Sequence, residues 1–397
     1  MRIFLLVSLL VTTAGPGLAQ QAATDFFSAI RSGSVTGNLR LRHEMVSEDG
    51  KDENAQAMTF RTMLGYRTAS FRSLAAYVEM EAVADIIEDY NNAGAGSLGN
   101  GKTDYPVVAD PGMAEVNQAY LRWATSGTAV TVGRQEIVTG DSRFVGNVGW
   151  RQNHQSYDAI RVTSKVLDRV DVSYAYVNRA HRIFGSDAVM KSHLASVAIP
   201  VQDIARVRAY ATLLDYDGHA GSAQTFGAEV TGSVSAGDAM KLSFEAEYAN
   251  QQDAFDNPAK LDASYTNFAV GAARQGFSLN IAQETLGGST ADGAFSTPLA
   301  TLHKFNGWAD RFLGTPANGL VDRLVSVGYS KGILGVIAAY HDYSSDSGSI
   351  DYGSEIDIQL TYAVSEKPAL GVKLARYLAD AHSSDITKVW LWTSLGF

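Results

Sequence analysis

Apolar and polar residues alternate one for one along most of this chain, from residue 33 to the last residue. Leu39 and Leu41 alternate with Asn38, Arg40 and Arg42, and Met58 and Phe60 with Thr59 and Arg61. Val172, Tyr174 and Tyr176 alternate with Asp171, Ser173 and Ala175. Leu242, Phe244 and Tyr248 alternate with Ser243, Glu245 and Glu247. Successive side chains of a strand point to opposite faces, so this period predicts strands with one apolar and one ionised face. Eighteen such segments can be read, from 33–44 to 386–397.

The connections sharpen the prediction. Every second one is short, as at Thr68-Ala69-Ser70, Gln275-Gly276 and Lys331-Gly332, and also at 164–168, 235–238 and 365–367. The alternate ones run long, notably 83–114, 135–154, 251–263 and 287–320. Pro200 and Pro368 fall at short turns or a strand start, and Pro106, Pro111, Pro258, Pro298 and Pro316 fall in long loops, so none removes a ladder hydrogen bond. Short turns on one rim and long loops on the other are the pattern of a bacterial outer-membrane barrel. Lipid leaves unpaired backbone groups unsatisfied, so a membrane-spanning sheet must close on itself. The expected fold is therefore all-β: a closed antiparallel barrel with periplasmic turns and extracellular loops. The last segment, Val389, Leu391, Thr393, Leu395 and Phe397, alternates up to a terminal aromatic, which points to recognition by the barrel assembly machinery through Phe397.

Composition excludes the main competitors. No apolar run after residue 13 approaches the roughly 18 residues of a spanning helix. There are no cysteines for a disulfide scaffold, and a net charge of −10 makes a poor nucleic-acid binder. Met1-Arg2, the apolar stretch 3–13 and Gly17-Leu18-Ala19 read as a signal peptide over 1–19, leaving 20–397 as a single barrel domain. Residues 96–103 spell a Walker A pattern, but Pro106 and Pro111 follow where a helix must start, so an external loop is expected and no nucleotide. Asp342, Asp346 and Asp351 do not match an EF-hand. No catalytic residues, metal or cofactor are assigned.

The face opposite the apolar one carries Arg40, Arg42, Arg61, Arg122, Arg161, Arg206 and Arg208 in the first nine strands. From the tenth onward it carries Glu229, Glu245, Glu247, Glu284, Glu355 and Asp357, with Lys373 as an exception there and Glu79 and Glu81 as exceptions in the third strand. A basic wall facing an acidic wall sets up a field across the lumen that orients ionic solutes. Arginine suits a carboxylate path because it stays charged and binds in a bidentate way. The loop near 134–154 adds Arg134, Arg143 and Arg151 to this path, with Asp141, Phe144 and Trp150. It is expected to fold inward as a constriction.

This loop resembles the alginate-export family of outer-membrane proteins. The likeness lies in Gly133-Arg134-Gln135, in Gly140-Asp141-Ser142-Arg143-Phe144-Val145-Gly146, in Trp150, and in Tyr157-Asp158 leading to Arg161. Asn117 to Leu121 fit the strand before it. The resemblance implies an eighteen-stranded, monomeric barrel with an arginine-lined path for carboxylate-bearing solutes, and it gives Arg134, Arg143 and Arg161 pore-lining roles.

The expected function is passive diffusion of small hydrophilic, anionic solutes or oligosaccharides through the outer membrane. The alternatives are export of an anionic polysaccharide such as alginate, a lipid-modifying hydrolase using Ser142 and His154, and a structural barrel with a plugged lumen.

Overall fold

The computed structural model describes residues 23–167, 169–237, 240–363 and 368–397. The signal-peptide segment 1–19 and the turn positions 168, 238 and 365–367 lie outside these residues. The strands are β1 (Ser34–Glu48), β2 (Ala55–Arg67), β3 (Leu74–Asp89), β4 (Ala114–Ala124), β5 (Thr128–Gln135), β6 (Ser156–Val166), β7 (Val170–His181), β8 (Asp187–Val201), β9 (Ala205–Leu214) and β10 (Ala223–Ala236). They continue with β11 (Met240–Asp253), β12 (Asp262–Arg274), β13 (Phe277–Leu286), the two-residue pair β14 (Gly288–Ser289) and β15 (Gly293–Ala294), and β16 (Leu320–Lys331). The last four are β17 (Leu334–Ser344), β18 (Asp351–Ala363), β19 (Pro368–Ala379) and β20 (Ile386–Gly396).

Among the described residues, eighteen of these strands form one sheet in which each pairs antiparallel with the next. The ring closes where β1 pairs with β20, from Asn38 opposite Gly396 to Glu48 opposite Ile386. Phe397 extends the seam: its N–H donates to the Gly37 carbonyl at 3.0 Å, and the Gly37 N–H donates to the Phe397 carbonyl at 2.9 Å. A closed ring leaves no edge to satisfy in lipid. No helix among the described residues is long and apolar enough to cross a membrane.

The alternation in the sequence becomes two surfaces. Leu41, Leu64, Val270, Ile281, Ile356 and Leu391 are exposed on the outside, while Arg42, Glu44, Asp357, Lys373 and Trp390 are buried within. Because consecutive strands are neighbours, β1–β9 make one half of the wall and β10–β20 the other, so the basic and acidic stretches are each contiguous.

Two features were not expected from the pattern. A short helix, α1 (Phe26–Arg31), precedes β1 and is opened by a capping box between Asp25 and Ser28. Strand β3 runs on to Asp89, so the loop after it begins later than the expected 83–114.

Candidate solute path

The chain leaves β5 at Gln135 and turns into the barrel. Ile137, Phe144 and Val145 are buried. Phe144 packs against Tyr210, Tyr265 and Phe295, with ring centroids 5.1–5.9 Å apart. Arg143 holds Glu284 of β13 with Nε at 2.7 Å and Nη2 at 3.3 Å, and donates from Nη2 to Asn306 Oδ1 at 3.1 Å. A few residues later the same loop reaches the opposite wall. Arg151 pairs with Glu44 of β1 at 3.2 Å, Gln152 Nε2 donates to Thr59 Oγ1 of β2 at 2.8 Å, and the His154 N–H donates to Glu81 of β3 at 2.8 Å. The loop thus spans the lumen from the β9–β13 wall to the β1–β3 wall.

Two further loops lock onto it. In the loop 295–319, the Gly146 N–H donates to the Leu299 carbonyl at 2.8 Å and the Val148 N–H to Thr301 Oγ1 at 3.1 Å. His303 stacks on Trp150 with centroids 4.9 Å apart and planes within 5°. From the loop 90–113 comes Asp110, fully buried, which accepts from the Gln152 N–H at 2.7 Å and pairs with Arg42.

Asp310 is the hub of this arrangement. It accepts from Arg151 Nη2 at 2.6 Å, Lys388 Nζ at 2.9 Å and His303 Nδ1 at 2.7 Å. Burial would raise Asp310, but the His303, Lys388 and Arg151 groups around it hold its carboxyl well below the usual range. Burial also pushes the His303 ring well below its usual value, so it stays neutral. Nδ1–H therefore donates to Asp310 while Nε2 accepts from Lys373 Nζ at 2.8 Å. Lys373 Nζ sits over the rings of Trp150 and Trp308, at 4.1 and 3.8 Å. Glu136 follows the same logic as Asp310. Burial raises it, but the adjacent His154, with hydrogen bonds from His154, Asn117 and Asn147, lowers it to about 2.

The expected pore-lining residues separate into three groups. The first is paired within the protein. Arg143 and Arg151 are the loop ties just described. Arg208 bridges Glu229 and Glu247 at 2.5 and 3.4 Å, relieving two carboxylates that face each other across β10 and β11. Arg206 pairs with Asp171 at 2.9 Å. Glu355 and Asp357 accept from the Ala309 and Trp308 N–H groups and lie buried beneath that loop. Asp141 caps the Arg143 N–H at 3.0 Å and meets Lys304 at 3.4 Å.

The second group makes no ion pair within 4 Å among the described residues: Arg40, Arg61, Arg122 and Arg161. Arg40 and Arg61 are directly opposed across β1 and β2. Arg40 donates to Gln152 Oε1 at 2.7 Å and to the Gly149 and Arg151 carbonyls. Arg61 contacts His154 Nε2 at 2.7 Å and Asn38 Oδ1 at 2.6 Å. The buried Arg161 Nε has no hydrogen-bond partner. Glu245 is the acidic counterpart, held by Asn267 Nδ2 at 2.6 Å.

The third group is Arg134 alone, and it corrects the expectation. Arg134 lies two residues beyond Val132, whose cross-strand neighbours are Leu121 and Ile160; all three are about half exposed on the outer face. The register is regular there, so Arg134 shares that face, paired with Asp158 at 3.1 Å. Its parity with Val130 and Val132 already carried this signal.

The hydrolase reading finds no assembled site. Both ring nitrogens of His154 are committed, to Glu136 and Arg61. The Walker-like segment contains only a single 3-10 turn at Gly96–Leu98. Sequence reasoning missed Glu44, although it shares parity with Arg40 and Arg42. It also missed Asp110, His303, Asp310 and Lys388; the loop residues among them carry no periodic signal.

The alginate-export family ("Alginate export") matches residues 45–280. No protein with a curated description matches the sequence. Among solved structures, Acinetobacter baumannii OccAB2 superposes with a TM-score of 0.75 at 15% identity, covering 93% of this chain and 99% of that one. Pseudomonas aeruginosa OccK9 (OpdG) gives 0.73 at 13% identity, covering 93% and 100%. Pseudomonas aeruginosa OpdK with vanillate gives 0.71 at 13% identity, covering 92% and 98%. The fold is that of outer-membrane barrels.

Proposed function

This chain belongs to the alginate-export family of outer-membrane proteins, and from that premise we propose that it is a diffusion channel for small, carboxylate-bearing solutes. The observation that carries this reading is the Arg40–Arg61 pair. Like charges placed directly opposite each other across two strands destabilise a sheet. Here they stand buried on the lumenal face with no carboxylate within 4 Å among the described residues, held by neutral groups of the loop that narrows the lumen and by Asn38. Such a site attracts an anion from either side through positive charge that no ion pair cancels. Arg122 and Arg161 extend the cationic half of the wall, while Glu245 leaves a carboxyl group on the facing half.

That OpdK was solved with vanillate, itself a small carboxylate, agrees with this reading. The family description favours polyuronate export as the second reading. The three interlocked loops support small solutes over a polymer chain, because they tie opposite walls together through the lumen. The protein acts as a monomer in the outer-membrane lipid, is exported by its 1–19 segment, and is inserted through recognition of Phe397.

The test is a reversal potential in a planar bilayer under a salt gradient. The native channel should prefer anions, and Arg40→Ala with Arg61→Ala should shift the potential toward cation selectivity. An unchanged potential in the double variant overturns the anion path.

A further inference from the structure

The short helix α1 has no part in the lumen. Its Ala29 is buried, and the Ala69 N–H of the β2–β3 turn donates to the Ala29 carbonyl at 3.0 Å. The Ala23 N–H donates to the Ser70 carbonyl of the same turn at 2.9 Å. Tyr66 closes the third tie by donating its hydroxyl to the Ile30 carbonyl. Tyr66 has the parity of Leu64, which is 53% exposed, so it lies on the outer face of β2. Its cross-strand partner Val35 is also exposed there, at 57%. The helix is therefore fastened to the outside of the barrel, at the rim of short turns that faces the periplasm.

What it presents outward is apolar. Phe26 and Phe27 are 59% and 68% exposed, with their rings edge to face at 5.6 Å, and Ile30 is 42% exposed. Arg31, exposed in the last turn, supplies a cation beside them. An aromatic and aliphatic surface with a basic residue at its edge matches the boundary between acyl chains and phosphate headgroups. The patch is also continuous with Tyr66, Leu64 and Val35 of the lipid-facing belt.

We propose that α1 is an interfacial anchor, which sets Phe26, Phe27 and Ile30 into the periplasmic leaflet of the outer membrane beside the β2–β3 turn. The inference concerns lipid and is independent of what passes through the lumen.

The chain has no cysteine, so single labels can be placed without a background. Phe27→Cys carrying a nitroxide, in full-length protein refolded into phospholipid vesicles, should collide with oxygen in preference to a water-soluble nickel chelate. The preference should be several-fold greater than for the same label at Thr24→Cys. Phe26→Cys and Ile30→Cys repeat the reading if the first variant folds poorly, with heat-modifiable gel mobility as the check on folding. Equal access to the chelate at both positions overturns the proposal, because the helix then lies in water. Exclusion of both reagents also overturns it, because protein, whether a second copy or another partner, then covers the patch.

Discussion

Asp310→Asn tests whether the loops are held by charge. The carboxylate accepts from three donors within 3 Å and is 4% exposed by its side chain. The amide keeps the shape and removes the charge. Arg151 retains Glu44 at 3.2 Å, whereas Lys388, itself buried, has Asp310 as its carboxylate partner within 4 Å among the described residues. Removing one member of a buried ion pair costs about 3–5 kcal/mol, mostly from the orphaned charge. At about 1.4 kcal/mol per tenfold, the ratio of released to latched loop should rise by roughly two to three and a half decades. The strand ladders do not depend on this residue, so the barrel should stay folded. Single-channel recording should show frequent excursions to a larger conductance, while the far-UV circular dichroism melt stays close to native. Adding Lys388→Met should restore part of the latch, because the second change removes the orphaned charge and the two effects are not additive. Native conductance and noise in Asp310→Asn would refute the charge latch and leave packing around Trp150 as the restraint.

Three further outcomes follow from the geometry. Arg134→Ala should leave the reversal potential unchanged, in contrast to the Arg40 and Arg61 double variant; a shift toward cations would show that Arg134 reaches the lumen. Glu136 has a folded-state pKa of about 2 against an ordinary 4.5, so it stabilises the loop fully above pH 4.5 and loses that contribution as the pH falls toward 2. Channel noise should therefore stay constant from neutral pH to near 4.5 and rise below it, and Glu136→Gln should abolish that acid step. Gly37→Val would drive a carbon into the Phe397 ring at the closing seam, an overpacking that costs about 1–3 kcal/mol. The variant should lower the unfolding temperature in a heat-modifiable mobility assay; an unchanged transition would mean that the terminal ring moves aside freely.

Most of the wall was legible because a strand reports its own facing. Once Leu39 and Leu41 are known to face lipid, Arg40, Arg42 and Glu44 must face inward. Arg134 continues the parity of Val130 and Val132 and so belongs to the outer face, although it opens the loop's motif. On β20 the inward residues Lys388, Trp390 and Trp392 carry the same parity signal, and the two tryptophans stand on an otherwise polar face because Trp150 of the inward loop packs on them. Asp110 and Asp310 offered no such handle. They sit in irregular segments, and apart from His303 beside Asp310 their charged partners lie far away in sequence.

By itself, the sequence determined that the chain closes into a barrel, which strands neighbour each other, and which charges point inward. These follow from local rules: a period of two residues, short turns that force adjacent antiparallel strands, and lipid that tolerates no free edge. Only the tertiary structure decided which of those charges are paired within the protein. Three loops converge through the lumen, and contacts made at that distance in sequence bind Arg42, Arg143 and Arg151 to carboxylates while leaving Arg40 and Arg61 without one. Whether an ionised group finds an oppositely charged partner depends on separations of a few ångströms, and local alternation carries no information about those.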